Sequence, residues 1–355
     1  MLAIIVVGCG NIGQTWLQQF APHLPAVAYV SAVANTQGLR LSQPLAQVAH
    51  SDISQGQYQH PYQGHPADQV RAHILQLQQQ GQQVAVLDLT ASKAISRAYP
   101  AWIAAGAHLI SANKYAGSSH PDYYREVIKQ LQRYQRHWLY NTTVGAGLPI
   151  QKAINERLAC HDELKAMEGN FSGSLSWVFQ QYRPGDKLSE WLQQAAAQGL
   201  TEPDPRLDLS GMDVARKLLI LAREAGWQLK LADIEVDNLV PPPLRQLSLK
   251  EFWQQRHILD DTFERWRLEH YPEATQFCYL GSVVLNEQGQ VQAAASLQPI
   301  AATSSYAQLP PGNANFMIRS RQYWHNPLII QGPGAGAEVT AAGVHSDILE
   351  LLKRL

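Results

Sequence analysis

The chain predicts a doubly wound parallel α/β sheet joined to a second, α+β region. Three observations carry this. Apolar runs rich in β-branched residues alternate with helical patterns over about the first 145 residues. A glycine-rich turn directly follows the first run. After the GAGLP turn at 145–149 the alternation stops, and helices give way to strand-like pieces.

The elements follow in order. AIIVV (3–7) is a short continuous apolar run, as expected of a strand buried on both faces. A helix is expected from about Gln14 to Phe20 and a second strand at 27–34. The stretch 69–80 spaces its apolar residues for a helix, with the glutamines on its solvated face. VAVLDLT (84–90) is another buried strand, followed by a helix to about Ala105. HLISAN (108–113), a helix over 121–136 and WLYNTTV (138–144) complete the alternating region. Two or three helices are expected between 150 and 226. Strands are expected at 231–240, 277–286 and 291–300, the last two joined by a hairpin turn at Gln288-Gly289. Trp253, Phe263 and Trp266 read as core or subunit contact. A C-terminal helix follows the glycine-rich loop near 336.

The totals exclude several function classes. With 355 residues the chain is long enough for two domains and a large core. Its net charge is −1 and it has no long basic run, so no nucleic-acid partner is expected. No apolar run reaches the ~18 residues of a membrane span, and the apolar N-terminus lacks the basic flank and cleavage site of a signal peptide. Three widely spaced cysteines, an odd number, argue against a disulfide framework and for a reducing cytoplasm.

GCGNIG places Gly8, Gly10 and Gly13 between a strand and a helix at the start of the alternating region. This is the dinucleotide fingerprint of a Rossmann-type sheet in its proper context. Gly8 permits the tight turn, Gly10 lets a pyrophosphate approach the backbone, and Gly13 lets helix and strand pack closely. An acid on the cofactor's ribose is expected about 20 residues further on, at the end of the second strand. That end reads AVANTQGLR and carries no carboxylate. Asn35 or Thr36 could meet the ribose and Arg40 a 2′-phosphate, although Arg40 taken alone reads as an ordinary surface arginine. The missing acid favours NADP(H) over NAD(H).

In DLSGMDVARKLLIL (208–221), Asp213 and Lys217 are four apart on one face of a helix, and that face continues into Ile220 and Leu221. Taken alone, the pair reads as a solvated surface ion pair or as an acid and a base looking into a site.

The chain resembles the homoserine dehydrogenase family over essentially its whole length, and most of all the dehydrogenase half of the bifunctional aspartokinase–homoserine dehydrogenases. The resemblance is carried by SANK (111–114), TTVGAGLPI (142–150), SGSLSWVF (172–179), GLTEPDPRLDLSGMDVARKLLILARE (199–224) and GPGAGAEVTAAGV (332–344). It implies reduction of L-aspartate 4-semialdehyde to L-homoserine by NAD(P)H, or the reverse, within threonine and methionine biosynthesis. By resemblance, Asn11 and Ile12 join the glycines in holding the cofactor, and Thr90, Ala91 and Ser92 line the nicotinamide side. Lys114 would lie between cofactor and substrate, and Lys217 would donate the proton. Glu202 and Asp213 would hold the substrate's polar groups, with Asp208 close by, and Gly199 and Gly336 match glycines near the cofactor. The family's monovalent cation, Na+ or K+, would sit on Asn141, Val144, Ala146 and Leu148. The family usually has an acid where Asn141 stands.

The resemblance also implies a homodimer formed through the middle domain's sheet. Control by threonine through an ACT-type domain is not expected. The expected domains are 1–140 with 318–355 for the dinucleotide, and 141–317 for catalysis and dimerisation.

The chemistry makes sense of these residue types. Hydride delivered to an aldehyde carbon leaves negative charge on oxygen, which an ammonium stabilises and protonates. Arg216 points about a quarter-turn from Lys217. The substrate's own ammonium calls for fixed carboxylates, which Glu202, Asp208 and Asp213 supply in one short stretch. Two other readings remain: an NAD(P)-dependent enzyme of a related amino-acid aldehyde, or a catalytically silent NADP-binding module.

Overall fold

The computed structural model describes residues 1–41 and 64–355. It divides the chain into two compact units, Met1–Leu148 with Gly336–Leu355, and Pro149–Ala335.

The first unit is built on a six-stranded sheet. Its elements are β1 (Leu2–Val7), α1 (Asn11–Thr15), β2 (Ala28–Asn35), β3 (Gly38–Leu41), α2 (Pro66–Gln79), β4 (Gln83–Asp88), α3 (Lys93–Ser96), α4 (Tyr99–Ala104), β5 (Ala107–Ser111), α5 (Pro121–Tyr134) and β6 (Trp138–Leu139). The strand order is β3-β2-β1-β4-β5-β6, parallel throughout except for β3, which turns back antiparallel on β2. All six residues of β1 are buried, which is why LAIIVV shows no alternation. Ile5 and Val7 belong to the core on one face of the sheet, with α2 and α4. Ile4 and Val6 belong to the core on the other, with Trp16, Leu17 and the C-terminal helix Ala337–Arg354.

Helix formation begins at Asn11, three residues before the expected start, and passes into a π-helical turn over Trp16–Phe20. WLYNTTV forms only the two-residue β6. From Asn141 to Thr143 the chain winds into a 3₁₀ turn, with Thr143 Oγ1 donating to Tyr140 O at 2.7 Å. A threonine hydroxyl that bonds the backbone locally competes with a sheet ladder.

The second unit contains α6 (Ile150–Ala159), β7 (Leu164–Gly169), α7 (Gly173–Gln181), α8 (Leu188–Ala197), α9 (Arg206–Leu209), α10 (Met212–Glu224), β8 (Glu235–Val236), α11 (Leu249–Gln254), α12 (His257–His270), β9 (Phe277–Leu285), β10 (Val291–Pro299), β11 (Asn313–Ser320) and β12 (Leu328–Pro333). Its sheet runs β12-β11-β7-β9-β10-β8 and is antiparallel except at β10·β8. The expected hairpin joins β9 and β10, with Gly289 at φ +75°.

Five α-helices, not two or three, fall between 150 and 226, and β7 lies among them. Of 231–240 only Glu235–Val236 is strand, because Asp233 folds back onto the Lys230 amide and Asn238 onto the Val240 amide. Residues 318–335 belong to this unit, not to the dinucleotide unit, because β11 pairs with β7 and β12 with β11. Residues 141–148 belong to the first unit: Asn141 N donates to Asp347 of the C-terminal helix, and Gly147 sits against Val339 O, where a Cβ would come within 2.5 Å. On β9, Phe277, Tyr279, Gly281 and Val283 face the helices; Phe277 packs on Phe263 and Trp266, and Gly281 on Phe171 and Val214.

Candidate active site

The carboxyl ends of β1, β2 and β4 open on a cavity of about 660 Å³ in the first unit. It is lined by Gly8, Cys9, Gly10, Asn35, Thr36, Thr90, Ala91 and Ser92, with His65 and Pro66 at its side. The strand order reverses at β1, and open α/β sheets bind ligands outside the carboxyl ends of their strands at such a point. A larger cavity of about 790 Å³ opens at Met1, Ala28 and Gln82, at the amino ends of the same strands, and so on the wrong side for a dinucleotide.

The tight turn expected at Gly8 and the close packing expected at Gly13 are both present. Gly8 has φ +102°, and its carbonyl lies where a Cβ on Gly13 would come within 2.1 Å. Gly10 caps α1 at φ −73°, and a methyl added there would meet nothing within 4 Å, so the fold's own packing does not require a glycine at this position. Asn11 and Ile12 form the first turn of α1, where backbone N–H groups have no helical partner. Asn35 Oδ1 accepts from Gln37 N at 2.8 Å and shapes the β2–β3 turn. Arg40 lies on β3, half-buried, with Gln37 Oε1 at 2.8 Å. Burial pushes the Cys9 thiol up from its ordinary value, and the Arg40 charge pulls it partly back.

Asp88, at the end of β4, is 1% exposed and is not among the site residues the sequence points to. Its carboxylate accepts from Thr90 N at 2.9 Å, Thr90 Oγ1 at 2.7 Å, Tyr99 Oη at 2.8 Å and Asn113 Nδ2 at 2.9 Å. Asn113 also donates to Ser92 O at 3.0 Å and accepts from Tyr115 N at 2.9 Å. One buried acid therefore ties the Thr90–Ser92 turn to the turn that carries Lys114. Burial raises its pKa, and the hydrogen bonds from Thr90, Tyr99 and Asn113 oppose the shift. The only sequence signal was a lone aspartate closing an otherwise apolar run. Lys114 is half-buried, and its carbonyl accepts from Ser118 N and Oγ.

In the second unit, Lys217 lies on α10 with its side chain 13% exposed. Its Nζ contacts Asp213 Oδ2 at 2.7 Å and donates to Phe171 O at 2.6 Å. Lys217 is thus held over the turn between β7 and α7. Arg216, one residue earlier, is exposed. Asp208 Oδ1 accepts from Ser174 Oγ at 2.6 Å and Oδ2 from Glu202 N at 2.9 Å. Burial, with the Asp213 charge adding a little, pushes the Asp208 pKa up; the Ser174 and Glu202 bonds work against this. Both Asp208 oxygens are therefore engaged in tying the Glu202 loop to the start of α7. The Glu202 side chain is exposed. Gly199 ends α8 at φ +70° and Gly336 caps the C-terminal helix at φ +126°, conformations that L side chains rarely adopt.

The family model described as homoserine dehydrogenase matches residues 149–349, and that described as homoserine dehydrogenase, NAD binding domain, matches residues 8–141. The chain belongs to the homoserine dehydrogenase family. It is 34% identical to the homoserine dehydrogenase of Paracoccidioides brasiliensis (strain Pb18), over 99% of this chain and 97% of that protein. It is 35% identical, along its full length, to bifunctional aspartokinase/homoserine dehydrogenase 2 of Escherichia coli (strain K12), of which it spans 44%. It spans 29% of the chloroplastic bifunctional protein 2 of Arabidopsis thaliana, at 39% identity over 76% of this chain.

Among solved structures, a Candida auris protein of unknown function matches at TM-score 0.88 and 30% identity, over 99% of this chain and 98% of that one. A hyperthermophilic archaeal homoserine dehydrogenase in complex with NADPH shares the fold at TM-score 0.74 and 17% identity, over 100% and 99% of the two chains. The first unit thus carries the family's NAD-binding domain.

The oxygens expected to hold the family's cation are largely backbone carbonyls, at Asn141, Val144, Ala146 and Leu148. Asn141 Nδ2 donates to Leu148 O at 2.9 Å, and Val144 N approaches Asn141 O at 3.4 Å. Two of the four expected carbonyl ligands thus already face N–H groups.

Proposed function

We propose that the protein reduces L-aspartate 4-semialdehyde to L-homoserine, or runs the reverse reaction, with NADP(H) preferred over NAD(H). The observation that carries this reading is Lys217, its side chain largely buried and its ammonium fixed by Asp213 at 2.7 Å and the Phe171 carbonyl at 2.6 Å. The dinucleotide, when bound, supplies or accepts the hydride. The glycine loop and the Thr90–Ser92 turn hold it in the first unit's cavity.

Lys217 stabilises the charge that develops on the substrate's aldehyde oxygen and delivers the proton there. Asp213 keeps that ammonium in place. Glu202, whose carboxylate is exposed and whose backbone N–H is pinned by Asp208, receives the substrate's own ammonium. Asp208 positions it by accepting from the Glu202 N–H, and its remaining lone pairs face the same substrate group. Asn113 orients the turn that carries Lys114. Preference for NADP(H) is supported by the absence of a carboxylate at the end of β2 and by Arg40 on the neighbouring strand.

The activity is tested by following loss of reduced-cofactor absorbance with a panel of amino-acid aldehydes. Efficient oxidation with the semialdehyde alone is expected. Equal rates across the panel would point to a related aldehyde enzyme, and none at all to a silent dinucleotide-binding module. NADPH is expected to give the higher kcat/KM, and Arg40→Ala to narrow the gap to NADH.

A homodimer formed on the second unit's sheet is supported by the face of β9 and β12 turned away from the helices, where Val284 is 37% and Ile329 47% exposed. Sedimentation would check it. The three cysteines are free, which supports a reducing compartment, and no described helix is long and apolar enough to cross a membrane.

A further inference from the structure

We propose that in this chain the carboxamide of Asn141 stands where the family's monovalent cation is expected, so that closure of the 141–148 loop does not depend on Na+ or K+. Asn141 follows the last short strand of the first unit's sheet and is 6% exposed. The loop must turn back on itself over few residues. Gly145 at φ +75° and Ala146 at φ +53° both take the left-handed conformation, and Leu148 N bonds back to Gly145 O at 3.0 Å. The turn brings Leu148 O back beside Asn141, and a carbonyl oxygen held there needs a donor or a cation. Here the partner is an amide donor: Nδ2 reaches Leu148 O at 2.9 Å and joins the two ends of the loop.

A carboxylate at position 141 could not do this, because it has only acceptors and would face Leu148 O with like partial charge. An acid at this position therefore requires a cation between the two oxygens, whereas an asparagine removes the need for one. The neighbouring buried acid, Asp347 of the C-terminal helix, accepts from Asn141 N at 3.2 Å, so its charge meets the loop at a backbone donor. Asn141 Oδ1 is buried and has no partner among the described residues. With the carboxamide turned over, that oxygen would lie against Leu148 O, an arrangement tolerable only with an ion bridging them. The two orientations therefore make opposite predictions about cations.

The test needs no turnover. Thermal unfolding of the full chain is followed as choline chloride is replaced by NaCl or KCl at constant ionic strength. Wild-type Tm is expected to stay flat. Asn141→Asp is expected to acquire a saturable rise, roughly 5 °C when the ion reaches about a hundred times its Kd. A saturable rise in the wild type overturns the proposal. So do flat curves for both proteins, since the carboxamide would then not be what replaces the ion. Should Asn141→Asp fail to fold, ²³Na line width decides on the wild type alone. No broadening that excess K+ reverses is expected, and such broadening overturns the proposal.

Discussion

Gly10→Ala separates a binding role of the glycine loop from a structural one. A methyl on Gly10 meets nothing within 4 Å, and its φ of −73° suits alanine. Without cofactor the variant should be as stable as the wild type, or more stable by up to about 1 kcal/mol, since alanine restricts the unfolded chain. If the dinucleotide binds as proposed, the same methyl would occupy the space its pyrophosphate enters to reach the N–H groups of Asn11 and Ile12. Overpacking of that kind costs about 1–3 kcal/mol, a rise in Kd of roughly 5- to 150-fold.

Gly13→Ala behaves differently. Its methyl would lie 2.1 Å from Gly8 O, more than an ångström inside ordinary contact. That variant should lose about 1–3 kcal/mol of stability before any cofactor is added. Urea unfolding without cofactor and fluorescence titration with NADPH give both quantities for each variant. A Gly10→Ala protein that folds normally and binds NADPH like the wild type would refute placement of the dinucleotide on this loop. Wild-type stability in Gly13→Ala would refute the packing described for it.

Lys217→Ala should lower kcat by about 10²–10⁴-fold. Its stability loss should be only about 1 kcal/mol, because Asp213, 47% exposed, rehydrates when the ammonium goes. Near-normal kcat in the folded variant would remove Lys217 from the chemistry. Gly211→Ala, at φ +70°, would drive a methyl to 1.9 Å from Tyr279 Oη, a hydroxyl bound to Asp237 O and Ala295 O. A loss of about 2–5 kcal/mol is expected in denaturant unfolding.

Asp88 gives a pH dependence with a fixed sign. Its folded pKa is raised above 3.8, so the folded state holds the proton to higher pH than the unfolded state does. That contribution to stability is complete below the unfolded value and is lost as pH rises through the folded one. The stability advantage of wild type over Asp88→Asn should therefore shrink as pH rises from 3.8 upward, and a widening gap would contradict the buried-acid reading.

The sequence by itself determined the alternating α/β sheet, the glycine loop and the shared helical face of Asp213 and Lys217. Each depends on order along the chain: a continuous apolar run, a fixed spacing of glycines, a four-residue helical step. Tertiary structure decided what depends on residues distant along the chain. Asp88 finds Asn113 only because β4 and β5 are neighbours, and Tyr99 only because α4 packs on that sheet. Lys217 finds the Phe171 carbonyl, 46 positions away, only once α10 packs beside the β7–α7 turn. Asp208, one of several loop acids in sequence, is set apart by Ser174. Residues 318–335 joined the second sheet because β11 found β7, and strand pairing is settled by partners that no local pattern names. Asn141 was visible as a departure from the family, but only the closed loop shows its amide on Leu148 O.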